Sequence, residues 1–285
     1  MAEVLKGADV VEAINAKVIA AVEELKTKGI DATLAILRVG ERGDDISYEK
    51  GVTKRAEKVG VAIKNVVLPA DVSQDDLIAA VEALNADASV HGVLMFRPLP
   101  EHLDENLVCN KLDPAKDIDG ITDASMVGVY TGSKAGFAPC TPSACMEILE
   151  HFGIEIKGKN AVVVGRSLVV GKPAAMMLLD RQATVTVAHS RTVDLPAVVR
   201  SADIVIACVG RAKMIDASYL SPGQVIIDVG INFTEEGNLC GDVDYEAAEA
   251  VVGAITPVPG GVGTVTTSVN LLHVVEAAQK QNCCC

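Results

Sequence analysis

The sequence predicts an α/β protein built of two α/β domains, each a parallel sheet covered by helices. Three observations lead there. Short β-branched runs alternate with helix-spaced stretches along the chain. The residues are 49% hydrophobic but only 3% aromatic, with no Trp, so the cores are Ala, Val, Ile and Leu, as in strands buried on both faces. Four strand-to-loop exits also follow one another in the second half, the pattern of a doubly wound sheet. A length of 285 residues admits one large or two medium domains.

In chain order, residues 8–28 place Val10, Val11, Ile14, Val18, Ile19 and Val22 at helical spacing. Residues 32–39 read as a strand closed by Gly40, and 40–60 as a polar loop entering a helix that ends near Gly60. A strand over 62–68 precedes a helix from Ser73 to about Asn85, with Asp75 and Asp76 in its first turn. His91 opens a third strand that runs into RPLP. Strand–helix–strand–helix–strand implies right-handed parallel crossovers. The DPAKDIDGIT loop (113–122) and the Gly- and Ser-rich stretch to Pro139 hold the domain boundary. Residues 140–153 form the next helix, with Thr141 as N-cap and Pro142 in the first turn.

The second half is organised around NAVVVGRSLVVGKP (160–173). Ala161–Val164 makes a buried strand, Gly165 and Gly171 bound a turn, and Pro173 sits in a first helical turn. Backbone N–H groups and a helix N-terminus there suit phosphate. A second strand, within 183–192, ends in Ser190 and Arg191, which suit a 2′-phosphate where an acidic residue would suit a free hydroxyl. Strands within 202–210 and 223–232 follow, and 255–280 is a Pro/Gly loop followed by a long helix.

Eight segments together resemble the methylenetetrahydrofolate dehydrogenase/cyclohydrolase family over nearly the whole length. They are RPLP (97–100), KDIDG (116–120), PCTP (139–142), GRSLVVGKP (165–173), ATVTVAHSRT (183–192), DVGIN (228–232), GDVD (241–244) and TPVPGGVG (256–263). The resemblance implies oxidation of 5,10-methylenetetrahydrofolate to the 5,10-methenyl form by hydride transfer to NADP⁺, with NAD⁺ as the alternative. It implies a folate-binding domain of residues 1–139 and 265–285 and a Rossmann-like domain of residues 140–264. It also implies a homodimer joined through the cofactor domain. Tyr48 matches the tyrosine that packs on the folate ring, and Asp119 the carboxylate that bonds the pterin. Pro98, Leu99 and Pro100 line that pocket, with Gly260 and Gly261 on a joining loop. Gly165, Arg166, Ser167, Gly171, Ser190, Arg191, Val209, Gly210, Ile231 and Val262 fall on the cofactor side.

The chain departs from the family where hydrolysis of the methenyl product is assigned. The lysine four residues after the tyrosine is Val52, and the glutamine before the proline segment is Phe96; Thr264 replaces a proline after GGVG. Position +4 lies about 40° from Tyr48 on a helix, whereas Lys50 and Lys54 lie about 200° and 240° away. In one reading the cyclohydrolase is weak or absent; in the other the helix register shifts and Lys54 or Lys50 substitutes. Loss of both partners favours the first. A non-catalytic nucleotide-binding regulatory module is the contrasting class, opposed by the intact tyrosine, KDIDG and GGVG.

A net charge of −13 argues against nucleic acid or an anionic membrane as partner. No apolar run reaches spanning length and no leading signal is visible. Eight cysteines without CxxC or His/Cys ligand spacing imply reduced thiols, no metal and a cytoplasmic location. Cys283–Cys285 read as a frayed tail. His189 reads as a packing residue, and Asp228 and Asp242 as turn or capping groups.

Overall fold

The computed structural model describes residues 1–133 and 135–282; the cysteine tail lies outside the described residues. The chain opens with β1 (Glu3–Val4), α1 (Gly7–Thr27), β2 (Thr33–Val39), α2 (Gly43–Val59), β3 (Ala62–Leu68), α3 (Gln74–Ala86) and β4 (Gly92–Met95). Short helices α4 (Glu105–Cys109) and α5 (Asp123–Thr131) lead to α6 (Cys140–His151). Then come β5 (Asn160–Val164), α7 (Gly171–Asp180), β6 (Thr184–Ala188), α8 (Leu195–Arg200), β7 (Ile204–Ala207) and β8 (Val225–Asp228). The hairpin β9 (Asn232–Phe233) and β10 (Leu239–Cys240), α9 (Tyr245–Glu249), β11 (Ala254–Ile255) and α10 (Val262–Asn282) complete it.

Two compact units result. One comprises Ala13–Cys140 and the chain from Thr267 onward; the other, Met1–Glu12 and Thr141–Thr266. The first twelve residues thus depart from the expected boundary, which assigned all of 1–139 to one domain. Their tie is β1, which pairs in parallel with β11, Glu3 opposite Ala254. Two residues are too few to show a strand period, so the sequence gives no sign of it.

The first unit carries a three-stranded parallel sheet in the order β3-β2-β4. The order reverses between β2 and β4, and the KDIDG chain extends the β4 edge through a bridge between Val93 and Asp117. Ala35, Leu37, Val81, Leu84, Val93 and Met95 pack its core. Ser73 caps α3, accepting from the Asp76 amide at 3.1 Å. Gly60 closes α2 at φ 82°.

The second unit carries six parallel strands in the order β1-β11-β8-β7-β5-β6, with its switch point between β5 and β7. Val162, Val164, Val205, Ala207, Ile226 and Ile255 fill its core. Helix α6 begins at Cys140, two residues before the start that would make Thr141 its N-cap, so Thr141 lies within its first turn. Among the described residues no helix is long and apolar enough to cross a membrane, and no group of three His, Cys, Asp or Glu side chains could hold a metal ion.

Candidate active site

In the first unit the chemistry-bearing residues collect where β2 and β4 end, beside the strand-order reversal. Glu49 in the second turn of α2 is tied to Arg38 on β2 by a mostly buried ion pair of 2.8 Å. That contact sets the helix over the sheet and places Tyr48 against Phe96, ring centroids 5.4 Å apart and tilted 45°. The Tyr48 residue is 41% exposed, but its hydroxyl end turns inward and accepts from Asn270 Nδ2 at 3.4 Å. Burial of the hydroxyl and then the nearby Asp119 charge push its pKa up to about 12, so it remains a neutral phenol.

The KDIDG segment divides its labour. Lys116 donates to the carbonyls of Leu84, Asn85 and Asp87 at 2.7–2.9 Å, closing the C-terminal end of α3. Asp117, fully buried, accepts from the amides of Ile121 and Thr122 and the hydroxyl of Ser125. Gly120 has φ +62°, and a Cβ there would press on the Pro139 and Phe137 backbone. These anchors present Asp119, which accepts from the Cys140 amide at 3.3 Å. Burial raises its carboxyl above the usual range. Cys140, Asn270 and His273 form a buried cluster beneath: the thiol meets Asn270 Oδ1 at 2.7 Å, and His273 Nδ1 lies 2.8 Å from the Ile118 carbonyl. In the adjoining RPLP loop, the Leu99 amide donates to Glu105 at 2.8 Å and Arg97 pairs with the same carboxylate at 3.6 Å. Pro98 is exposed and Pro100 half-buried.

Lys50 and Lys54 are exposed, and Val52 is fully buried. The helix keeps its register through this stretch. The cationic side chain on the Tyr48 face is instead Arg55, a residue that the sequence reading passed over, although its i+7 spacing was there to be read.

In the second unit, Gly165 ends β5 at φ +140°, where a Cβ would strike the Cys208 backbone at the end of β7. A Cβ on Gly171 would run into the backbone of Gly165 and Arg166. Ser167 Oγ accepts from the Val170 and Gly171 amides at 3.1 and 3.3 Å, capping α7. Arg166 is exposed in this turn, as are Leu168 and Val169 at 62% and 51%, so the turn opens to solvent. Ser190 and Arg191 are exposed at the end of the neighbouring β6. His189 shapes their turn: its Nδ1 accepts from the Arg191 amide at 3.1 Å and its own amide bonds Thr192.

Asp242, fully buried, accepts from the amides of Val209, Gly210 and Arg211 and from Asn232, fixing the loop after β7. Asp228 accepts from the amides of Gly230, Asp242 and Val243 at 2.9–3.0 Å. The GDVD and DVGIN motifs therefore lock one another. A cleft of about 220 Å³ is lined by Asp228–Ile231, Leu239 and the loop from Pro257 to Thr264, including Gly260, Gly261 and Val262. Ile231 is 66% exposed at its rim, while Val262 is nearly buried.

A glycine-bounded turn at the switch point of a parallel sheet, with polar groups after the next strand, defines a dinucleotide-binding domain. Comparison with known proteins names the family. Residues 5–119 match the tetrahydrofolate dehydrogenase/cyclohydrolase catalytic domain and residues 139–282 the NAD(P)-binding domain of the same family. The chain belongs to that family. It is 47% identical over 280 residues to the bifunctional protein FolD of Clostridioides difficile strain 630, covering 98% of each. The solved bifunctional FolD of Campylobacter jejuni superposes with a TM-score of 0.95 at 36% identity, covering 98% of this chain and 99% of that one. A Trypanosoma brucei methylenetetrahydrofolate dehydrogenase-cyclohydrolase, solved with NADP cofactor and inhibitor, gives 0.91 at 34% identity, covering 99% of each.

Proposed function

We propose that this protein oxidises 5,10-methylenetetrahydrofolate to 5,10-methenyltetrahydrofolate with NADP⁺ and hydrolyses the product to 10-formyltetrahydrofolate. The observation that carries the reading is the convergence of Tyr48 and Asp119 at one sheet reversal, in a chain whose family model is a folate dehydrogenase/cyclohydrolase. NADP⁺ supplies the hydride acceptor. The turn between Gly165 and Gly171 fits its phosphates, being open to solvent at the start of α7. Ser190 and Arg191 would meet the 2′-phosphate, and Val209, Gly210, Ile231 and Val262 would line the rest of its path. Gly260 and Gly261 bring backbone close to the bound rings.

On the folate side, Tyr48 and the Pro98–Pro100 loop would hold the flat ring system, and Asp119 would accept from its amino and N–H donors. The chemistry asks for two rings held in contact, so positioning supplies most of the rate. The names of the relatives favour the bifunctional reading over the dehydrogenase alone. The dehydrogenase-only reading rests on one feature: the buried Val52 and Phe96 stand where a lysine and a glutamine were expected.

A homodimer belongs to the same proposal. β6 is an edge of the six-stranded sheet and exposes Thr184, Thr186 and Val187. So does a cytoplasmic location, since Cys109, Cys140, Cys145, Cys208 and Cys240 are free thiols. The test is a paired assay on the purified protein: methenyl formation from methylenetetrahydrofolate with NADP⁺ or NAD⁺, and decay of added methenyltetrahydrofolate above its uncatalysed rate. Both accelerated supports the bifunctional enzyme. Oxidation alone selects the dehydrogenase, and neither sinks the assignment.

A further inference from the structure

Four positions of α2 share the face that looks into the first unit: 48, 52, 55 and 59 lie within an arc of about 60° around the helix axis. Val52 and Val59 are buried there, so Tyr48 and Arg55 are its polar members. Arg55 is half-buried, and its Nη1 donates to Ser268 Oγ at 3.0 Å. Ser268 is fully buried and donates in turn to Asn15 Oδ1 at 3.1 Å. The same turn of α10 holds the Tyr48 hydroxyl through Thr267 and Asn270. One helical turn thus fixes both side chains. Burial works against the Arg55 charge, while Tyr48, two helical turns back on the same face, works for it. A guanidinium stays charged throughout the physiological range, so it can bias a charge nearby but cannot carry a proton away.

We infer that Arg55 is a positioning residue of the Tyr48 site whose fixed charge sets the balance between forming and consuming the methenyl cation. This rests on the folate reading above. Oxidation removes a hydride from a neutral ring and leaves a cation. Hydrolysis adds one water to that cation and releases one proton, ending neutral. A permanent positive charge held beside Tyr48 opposes the first change and assists the second.

The test compares Arg55→Met, Arg55→Lys, Lys50→Met and Lys54→Met with the wild type, measuring both activities and the thermal midpoint. In Arg55→Met, kcat for methenyltetrahydrofolate hydrolysis falls about 10-fold with KM within about 3-fold, while kcat for methylenetetrahydrofolate oxidation holds or rises. Arg55→Lys, which keeps the charge, recovers most of the hydrolysis. The two lysine variants match the wild type. A parallel fall of both activities in Arg55→Met would reduce Arg55 to a packing residue and overturn the inference. So would loss of hydrolysis in Lys50→Met or Lys54→Met, or a wild type that oxidises but does not hydrolyse. A wild type with neither activity would instead remove the functional reading itself.

Discussion

Among single residues, Asp119 shows how much support one carboxylate needs. Lys116, Asp117 and Gly120 all serve to hold the turn that presents it. Asp119→Asn keeps the shape but turns two donors toward a site built around an acceptor. KM for methylenetetrahydrofolate is expected to rise about 10- to 100-fold with KM for NADP⁺ unchanged, read from initial rates. Asp228 gives a prediction in pH. Burial lifts its carboxyl from 3.8 to about 6, against the pull of three backbone amides. The folded state therefore holds the proton more tightly than the unfolded chain. The resulting stability is complete below about pH 4 and is lost as pH rises through about 6. The advantage of wild type over Asp228→Asn in urea unfolding should shrink between about pH 4 and 7, by at most about 3 kcal/mol. Tyr48 and Asp119 were legible as candidates, Asp119 within KDIDG and Tyr48 by its match to the family tyrosine. Their supports were not: Asn270 lies 222 residues from Tyr48, and only the fold brings them together.

The nucleotide turn is set at the level of the element. Its strand, both glycines and the following helix could be read from β-branched residues bounded by glycine, and the structure keeps them within a residue or two. Ser167 was expected on the cofactor side, yet its hydroxyl is engaged in capping α7, a role that spacing alone does not reveal. Gly171→Ala would drive a methyl into the Gly165 carbonyl. We expect a loss of about 1–3 kcal/mol in urea unfolding and at least about 10-fold weaker NADP⁺ binding by fluorescence titration. Arg191→Ala, at an exposed position in the turn after β6, should leave stability within about 0.5 kcal/mol. It should also lower kcat/KM with NADP⁺ about 10-fold or more while sparing NAD⁺. Elements of two residues, β1, β9, β10 and β11, went unread because no periodicity exists at that length.

At the scale of the whole molecule, the α/β class and the two-sheet organisation followed from the buried apolar runs. The membership of the first twelve residues did not, because it depends on a pairing across nearly the entire chain. If β6 is the dimer edge, Val187→Lys would place a charge on a residue 40% exposed at that edge. Light scattering should then show monomer at concentrations where the wild type is dimeric. The pairing of β1 with β11 has a further consequence for how the protein is made. β1 leaves the ribosome some 250 residues ahead of the strand it lies against. At cellular synthesis rates that interval is on the order of ten to fifty seconds. Throughout it β1 has no partner strand and the sheet lacks the two strands of that edge. Completion of this sheet is therefore a late event in the making of the chain.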